Sequence, residues 1–177
     1  MNPPLEYSFP RYLASKKSVD DRALNRHVWQ TLASQLQGSS SEPSLHVLEV
    51  GAGIGTMIER VLEWGLLPAA AAYTALDVRP ENIQQATERL PVWGRAHGWR
   101  VEPCPPAGML FERRGQRLTV EMEAIDLFDF IAREAGSPRW DLLIAHAFLD
   151  LMDIPSALPQ LFRLLRPGGL FYFSLNF

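Results

Sequence analysis

Cysteine is nearly absent. Cys104 is the one cysteine in 177 residues, so no intrachain disulfide can form and a Cys-rich metal cage is excluded. It stands in Pro-Cys-Pro-Pro (103–106), where rigid loop geometry is the first reading and a reactive thiol the lesser one. Long apolar runs are missing too: none nears the ~20 residues of a membrane span. The start, MNPPLEYSFPRY, lacks the basic beginning and apolar core of a signal peptide, so a cytoplasmic location is expected. A large excess of charge is also lacking. At a net charge of −3 nothing electrostatic calls for a nucleic-acid or membrane surface. What is there suits a single globular domain: 47% hydrophobic and 21% charged residues, in a length typical of one core.

Residues 1–17 are rich in proline and aromatics with a basic end, and read as an irregular arm. Ser18 or Asp20 can cap a helix to about Leu36, with Ala23, Leu24, Val28, Leu32 and Leu36 at helical spacing. Residues 37–44, QGSSSEPS, form a turn-rich linker. LHVLEV (45–50) reads as a buried strand, followed by a glycine cluster and a helix through Glu63. AYTALDV (72–78) is a second strand, and Arg79-Pro80-Glu81 opens a helix with proline near its first position. That helix is expected to end near Pro91 or to continue, kinked, toward His97. Residues 98–116 fit no simple unit, although two strand-like runs around Arg114-Gly115 read as an added hairpin. LTVEMEAID (118–126), WDLLIAH (140–146) and LFYFSLNF (170–177) are the further strands. Short helices are expected over 127–134 and from about Pro155 to Leu165, the latter stopped by Arg166-Pro167-Gly168-Gly169.

Strands alternating with helices, apolar on both faces, define an α/β fold of the doubly wound type: a mostly parallel sheet with helices on both faces. Residues 1–44 would supply an arm, helix and linker, and 45–177 the Rossmann-like core of the same domain.

VLEVGAGIG (47–55) carries the chemistry. Gly51, Gly53 and Gly55 sit where a strand turns into a helix, where missing side chains allow positive φ and a close ligand approach. Against the dinucleotide pattern G-x-G-x-x-G the third glycine arrives one residue early, and Thr56 occupies its place. Glu49, just before the loop, is ill suited to a pyrophosphate and well suited to an ammonium group. Asp77 closes the second strand, where such domains place an acceptor for ribose hydroxyls. Asp126 follows the third strand and can receive an adenine amine, with Val78 and Leu127 flanking the purine. Each has a plainer alternative. Glu49 is a surface acid at a strand end, and Asp77 and Asp126 cap the helices behind them.

These pieces, with TALDVRPENI, AIDLFDF, WDLLIAH and LLRPGGLFYFS in order, resemble the class I, Rossmann-like S-adenosylmethionine (SAM)-dependent methyltransferase family. The resemblance implies SAM as cofactor. It places cofactor binding on Glu49, Gly51, Ala52, Gly53, Gly55, Asp77, Val78, Asp126, Leu127 and Ala145. Methyl transfer needs mainly alignment and exclusion of water, with a general base only if the acceptor must lose a proton. His146, in Ala145-His146-Ala147-Phe148 after the fourth strand, is the candidate base; its alternative is a hydrogen-bonded loop histidine. His27, His46 and His97 have weaker claims. AHAF is not the Asn/Asp-Pro-Pro-Tyr element of the family's amide- and base-nitrogen methylators, which favours a small-molecule acceptor. Tyr7, Phe9, Arg11 and Tyr12 are candidates for a lid.

The family sheet has seven strands ending in an antiparallel hairpin, whereas five family strands are expected here, lacking the last two. The final strand would then be an edge, with Phe171, Phe173 or Phe177 covered by a second copy or a missing C-terminal segment. Two other functions compete: a SAM-binding module without turnover, and an NAD-dependent oxidoreductase, which the glycine spacing and Glu49 disfavour.

Overall fold

A computed structural model describes residues 9–38, 44–106, 108–137 and 139–175. Tyr7, Phe177 and the side chain of Phe9 lie outside the described residues. The elements in chain order are α1 (Phe9–Ala23), α2 (Arg26–Gly38), β1 (Leu45–Val50), α3 (Thr56–Glu63), β2 (Ala70–Asp77), α4 (Pro80–Ala96), β3 (Arg100–Cys104), β4 (Gly108–Arg113), β5 (Gln116–Ala124), α5 (Leu127–Arg133), β6 (Trp140–His146), α6 (Ile154–Phe162) and β7 (Leu165–Ser174). A single turn of 3₁₀ helix spans Leu149–Leu151.

One sheet holds all seven strands in the order β3-β4-β5-β2-β1-β6-β7. The parallel set is β5-β2-β1-β6-β7, with β1 at its centre. The hairpin β3–β4 adds antiparallel strands beyond β5, at the edge far from β7. Buried residues of α2, α3 and α4 join one face's core. Those of α5 and α6 join the other. The doubly wound expectation is met: central strands buried on both sides need a helical layer on each.

Several expectations are corrected. Residues 9–17 are helical and not part of an irregular arm, and the described N-terminal residues form two helices rather than one, broken at Leu24-Asn25. Asn25 stops the run by capping α2, its Oδ1 accepting from His27 N (2.9 Å) and Val28 N (3.3 Å). The break also rotates the apolar stripe, so Leu24, Trp29, Leu32 and Leu36 are buried while Ala23 and Val28 are exposed. β5 begins and ends two residues before the strand expected over 118–126, which leaves Asp126 outside it. α6 stops at Phe162, and Arg166-Pro167-Gly168-Gly169 belongs to an irregular opening of β7, with the register shifting between Trp140 and Leu142. β7 pairs with β6 alone among the described residues, and Phe171 on it is 56% exposed, stacked near Phe162 and Phe173.

Candidate functional site

Parity of the strands brings the site together. Val47, Tyr73, Ala75, Ile144 and Tyr172 belong to the core on one face. Leu48, Val50, Leu76, Leu143 and Ala145 belong to the core on the other. Because side chains alternate, Glu49, Asp77, His146 and Ser174 all project from the first face, at or next to the carboxyl ends of β1, β2, β6 and β7. Register aligns them: Glu49 sits beside Ala75 and Ile144, and His146 beside Ser174.

The glycine loop turns β1 into α3. Gly51, Gly53 and Gly55 have φ of 70°, 55° and 77°, which side-chain-bearing residues rarely adopt. Their bareness also admits neighbours. A Cβ on Gly51 would lie 2.2 Å from the Phe148 ring, and one on Gly53 would lie 3.0 Å from Leu13 Cδ1. Asp77 ties the loop down from the next strand. Its Oδ2 accepts from Gly53 N (2.8 Å), and its Oδ1 accepts from Arg79 N (2.9 Å) and Asn82 Nδ2 (3.0 Å). A carboxylate with about four acceptor positions keeps capacity beyond these three bonds.

A cavity of about 350 Å³ opens over this edge, within the range of small-molecule sites. Glu49, Gly51, Ala52, Gly53, Asp77 and Val78 line it on the sheet side, with His146, Ala147 and Phe148 behind β6. Tyr12, Leu13, Lys16 and Asp20 of α1 close it from above. Ala147 has φ of 51°, a strained backbone at the site for a residue with a side chain.

Glu49 is 2% exposed and accepts a hydrogen bond from the Tyr73 hydroxyl (2.9 Å). Burial pushes its carboxyl up to about 7, against the Tyr73 hydrogen bond and the Arg60 charge. His146 Nδ1 shares a short hydrogen bond with the Ser174 hydroxyl, and Nε2 stands 3.5 Å from Asp20 Oδ2. Burial first, then the Arg60 charge, lowers the imidazole below its usual range, while Asp20 acts the other way.

The roof is held by charge. Arg60, fully buried on α3, donates from Nε to Asp21 Oδ1 (2.6 Å). Glu59 beside it pairs with Lys17 (3.5 Å) and with Arg89 of α4 (2.6 Å), whose Nη1 also donates to Ile54 O (2.8 Å) in the glycine loop.

Not every expected residue meets the cavity. Asp126 is exposed and caps α5, its carboxylate accepting from Phe128 N (2.8 Å). Leu127 and Ala145 are buried in the core of the opposite sheet face: alternation along β6 turns Ala145 away from the cavity, and Leu127 opens α5, which packs on that face. Gly55 packs on Leu90 of α4. Conversely, Lys16, Asp20, Asn82, Phe148 and Asp150 line the cavity although no reading of the sequence placed them there. The charged pair Glu59-Arg60 between the apolar pairs Met57-Ile58 and Val61-Leu62 was the legible signal that something polar docks on α3.

Residues 48–171 match the methyltransferase-domain family. The chain therefore belongs to that family, the class I SAM-dependent methyltransferases. Among solved structures it resembles the plantazolicin methyltransferase BpumL in complex with SAH, at 18% identity and a TM-score of 0.56, over 92% of this chain and 51% of that one. It also resembles an S-adenosylmethionine-dependent methyltransferase from Clostridium acetobutylicum, at 14% identity and a TM-score of 0.55, over 95% of this chain and 57% of that one. The DszA carbon methyltransferase matches at 19% identity and a TM-score of 0.55, over 81% of this chain and 33% of that one. At these identities the likeness is one of fold. The chain spans about half the length of BpumL. No curated protein matches it. Among the described residues no helix is long and apolar enough to cross a membrane.

Proposed function

We propose that the cavity binds S-adenosylmethionine and that the chain directs its methyl group to a small-molecule acceptor. The observation that carries this reading is Glu49: a buried carboxylate beside the glycine loop whose hydrogen-bond partner is a neutral phenol. A cationic amine entering the cavity would satisfy it, whereas a pyrophosphate would be repelled. The lining supports the same choice, with Asp20, Glu49, Asp77 and Asp150 against Lys16 and Arg79. Asp77 has acceptor capacity for a diol, and Val78, 61% exposed at the rim, offers an apolar surface to a base. Asp126 lies two residues past Ala124, the register partner of Asp77, and would serve the base only at that rim.

Bound there, the cofactor supplies a methyl carbon already activated by its sulfonium. The chain's own work is alignment, dryness and proton handling. α1 and Phe148 cover the loop and exclude water. His146, kept neutral by burial, would take the acceptor's proton at Nε2, the nitrogen that Ser174 leaves open.

Calorimetric titration tests the cofactor: S-adenosylhomocysteine should bind and NAD should not. A screen of small acceptors with methyl-labelled SAM tests turnover. His146→Ala should keep S-adenosylhomocysteine binding while turnover falls ~10²–10⁴-fold. Absence of binding sinks the reading, cofactor binding with no transfer to any acceptor leaves a binding module, and undiminished turnover in His146→Ala returns that residue to a structural role.

A further inference from the structure

α1 contributes more than a cover. Its Asp20 lines the cavity, and Oδ2 stands 3.5 Å from His146 Nε2 across the opening between roof and floor. On the far side of the ring, Nδ1 is engaged by the Ser174 hydroxyl from the end of β7. Three elements distant in sequence thus line up a carboxylate, an imidazole and a hydroxyl: Asp20 is 126 residues before His146, and Ser174 is 28 after it. At this separation Asp20 makes no hydrogen bond to Nε2, which is buried and without a partner. An acceptor's proton reaches this nitrogen only where α1 admits the acceptor, and a carboxylate is already beside it when it does.

We propose that Asp20 is a positioning residue for His146: it stabilises the imidazolium that forms as the acceptor's proton reaches Nε2, while Ser174 fixes the ring through Nδ1. The inference rests on the methyltransferase reading above. The balance is simple. The acceptor would lose one proton to Nε2 and form a bond to the methyl carbon as that carbon's bond to sulfur breaks, leaving a neutral thioether; the ring becomes a cation beside a carboxylate, and water later removes the proton.

The other charged or titratable groups around the ring are few. Lys16 pairs with Asp20 (3.5 Å) on α1, and Arg60 of α3 acts on the imidazole as a positive charge. Glu49 and Asp150 line the same cavity, and Tyr172 precedes Ser174 by two residues on β7. Asp20 is the one carboxylate of these that stands within ion-pair distance of the ring. Removing its charge should not free α1, because the bonds of Lys17 to Glu59 and of Asp21 to Arg60 remain.

The test has a readout that needs no acceptor. The His146 imidazole is titrated by NMR in the full chain, as wild type, Asp20→Asn and Asp20→Glu. The midpoint should fall in Asp20→Asn, because the imidazolium loses its anion, and should recover in Asp20→Glu. With the best acceptor, Asp20→Asn should lower kcat about 10–100-fold, part of what a positioned base contributes. The acid limb of its pH profile should move down with the midpoint. An unmoved midpoint overturns the proposal, as does a lowered midpoint with undiminished kcat. A wild-type chain that methylates nothing would instead overturn the methyltransferase reading, and the titration would still report the Asp20–His146 pair.

Discussion

The floor and the roof of the cavity are made by different forces. The floor consists of strand ends whose neighbours Val47, Leu48, Val50 and Ile144 are fully buried, so its geometry is set by the packing of the whole core. The roof, α1, buries none of its described side chains. It is held by Lys17–Glu59, Asp21–Arg60 and the contact of Leu13 with Gly53. A floor of this kind holds acids in place against their own desolvation. A roof of this kind depends on the charges that tie Lys17 and Asp21 to the buried Glu59 and Arg60.

The largest expected effect breaks the floor's side of the comparison. Glu49 has a carboxyl raised from 4.5 to about 7 by burial, so its neutral form is the one the empty fold prefers. Its contribution is therefore complete below pH 4.5 and lost as pH rises through about 7, on the order of 3 kcal/mol in all. Chemical denaturation should show Glu49→Gln free of this slope and more stable than wild type at pH 8. The same variant should bind S-adenosylhomocysteine more weakly, having no charge to meet an ammonium group. A wild-type slope in Glu49→Gln would assign the pH dependence to other groups.

Next comes Asp77, which both pins the loop and faces the cavity. Asp77→Ala should weaken S-adenosylhomocysteine binding by at least about 1.5–3 kcal/mol, the range for one hydrogen bond to a charged acceptor. Unchanged affinity by calorimetry would confine Asp77 to holding Gly53 and Asn82. The glycines are a less selective probe than their sequence implies. A side chain on Gly51 meets Phe148 and a positive φ before it meets any ligand, so Gly51→Val disturbs the fold as well as the site.

The smallest effect sharpens the roof's side. Lys17 and Asp21 are part-exposed, so their pairs with Glu59 and Arg60 are partly screened as the Debye length shrinks to ~3 Å in ~1 M salt. Amide exchange along α1 should accelerate between low and high salt while that of β1 and β2 stays unchanged. Equal protection of α1 in both would mean that Leu13 and the fully buried Arg60, rather than screened charge, hold the roof.

The floor was legible because its signals are local. LHVLEVGAGIG is a strand and glycine turn in eleven consecutive residues with a helix directly after it, and the period of two already put Glu49 on one face with Val47. β3 was not legible: Arg100–Cys104 has one buried side chain and an edge proline, so no hydrophobic period marks it. α1 carries even less signal, since FPRYLASKKSVDDRA has no apolar stripe, and its partner Arg60 lies 39 residues from Asp21.

By itself the sequence determined the alternation of buried strands and helices, the loop conformation that its glycines permit, and the carboxylates at the ends of the first two strands. These follow from periodicity and steric freedom within a few residues. Only the tertiary structure decided which acids share the cavity. Asp20 reaches His146 through the packing of α1 on α3, whereas Asp126 is spent on the first turn of α5. Alternation along β6 buries Ala145 on the far face, where α5 also carries Leu127, and a register that no local pattern states leaves His146 beside Ser174.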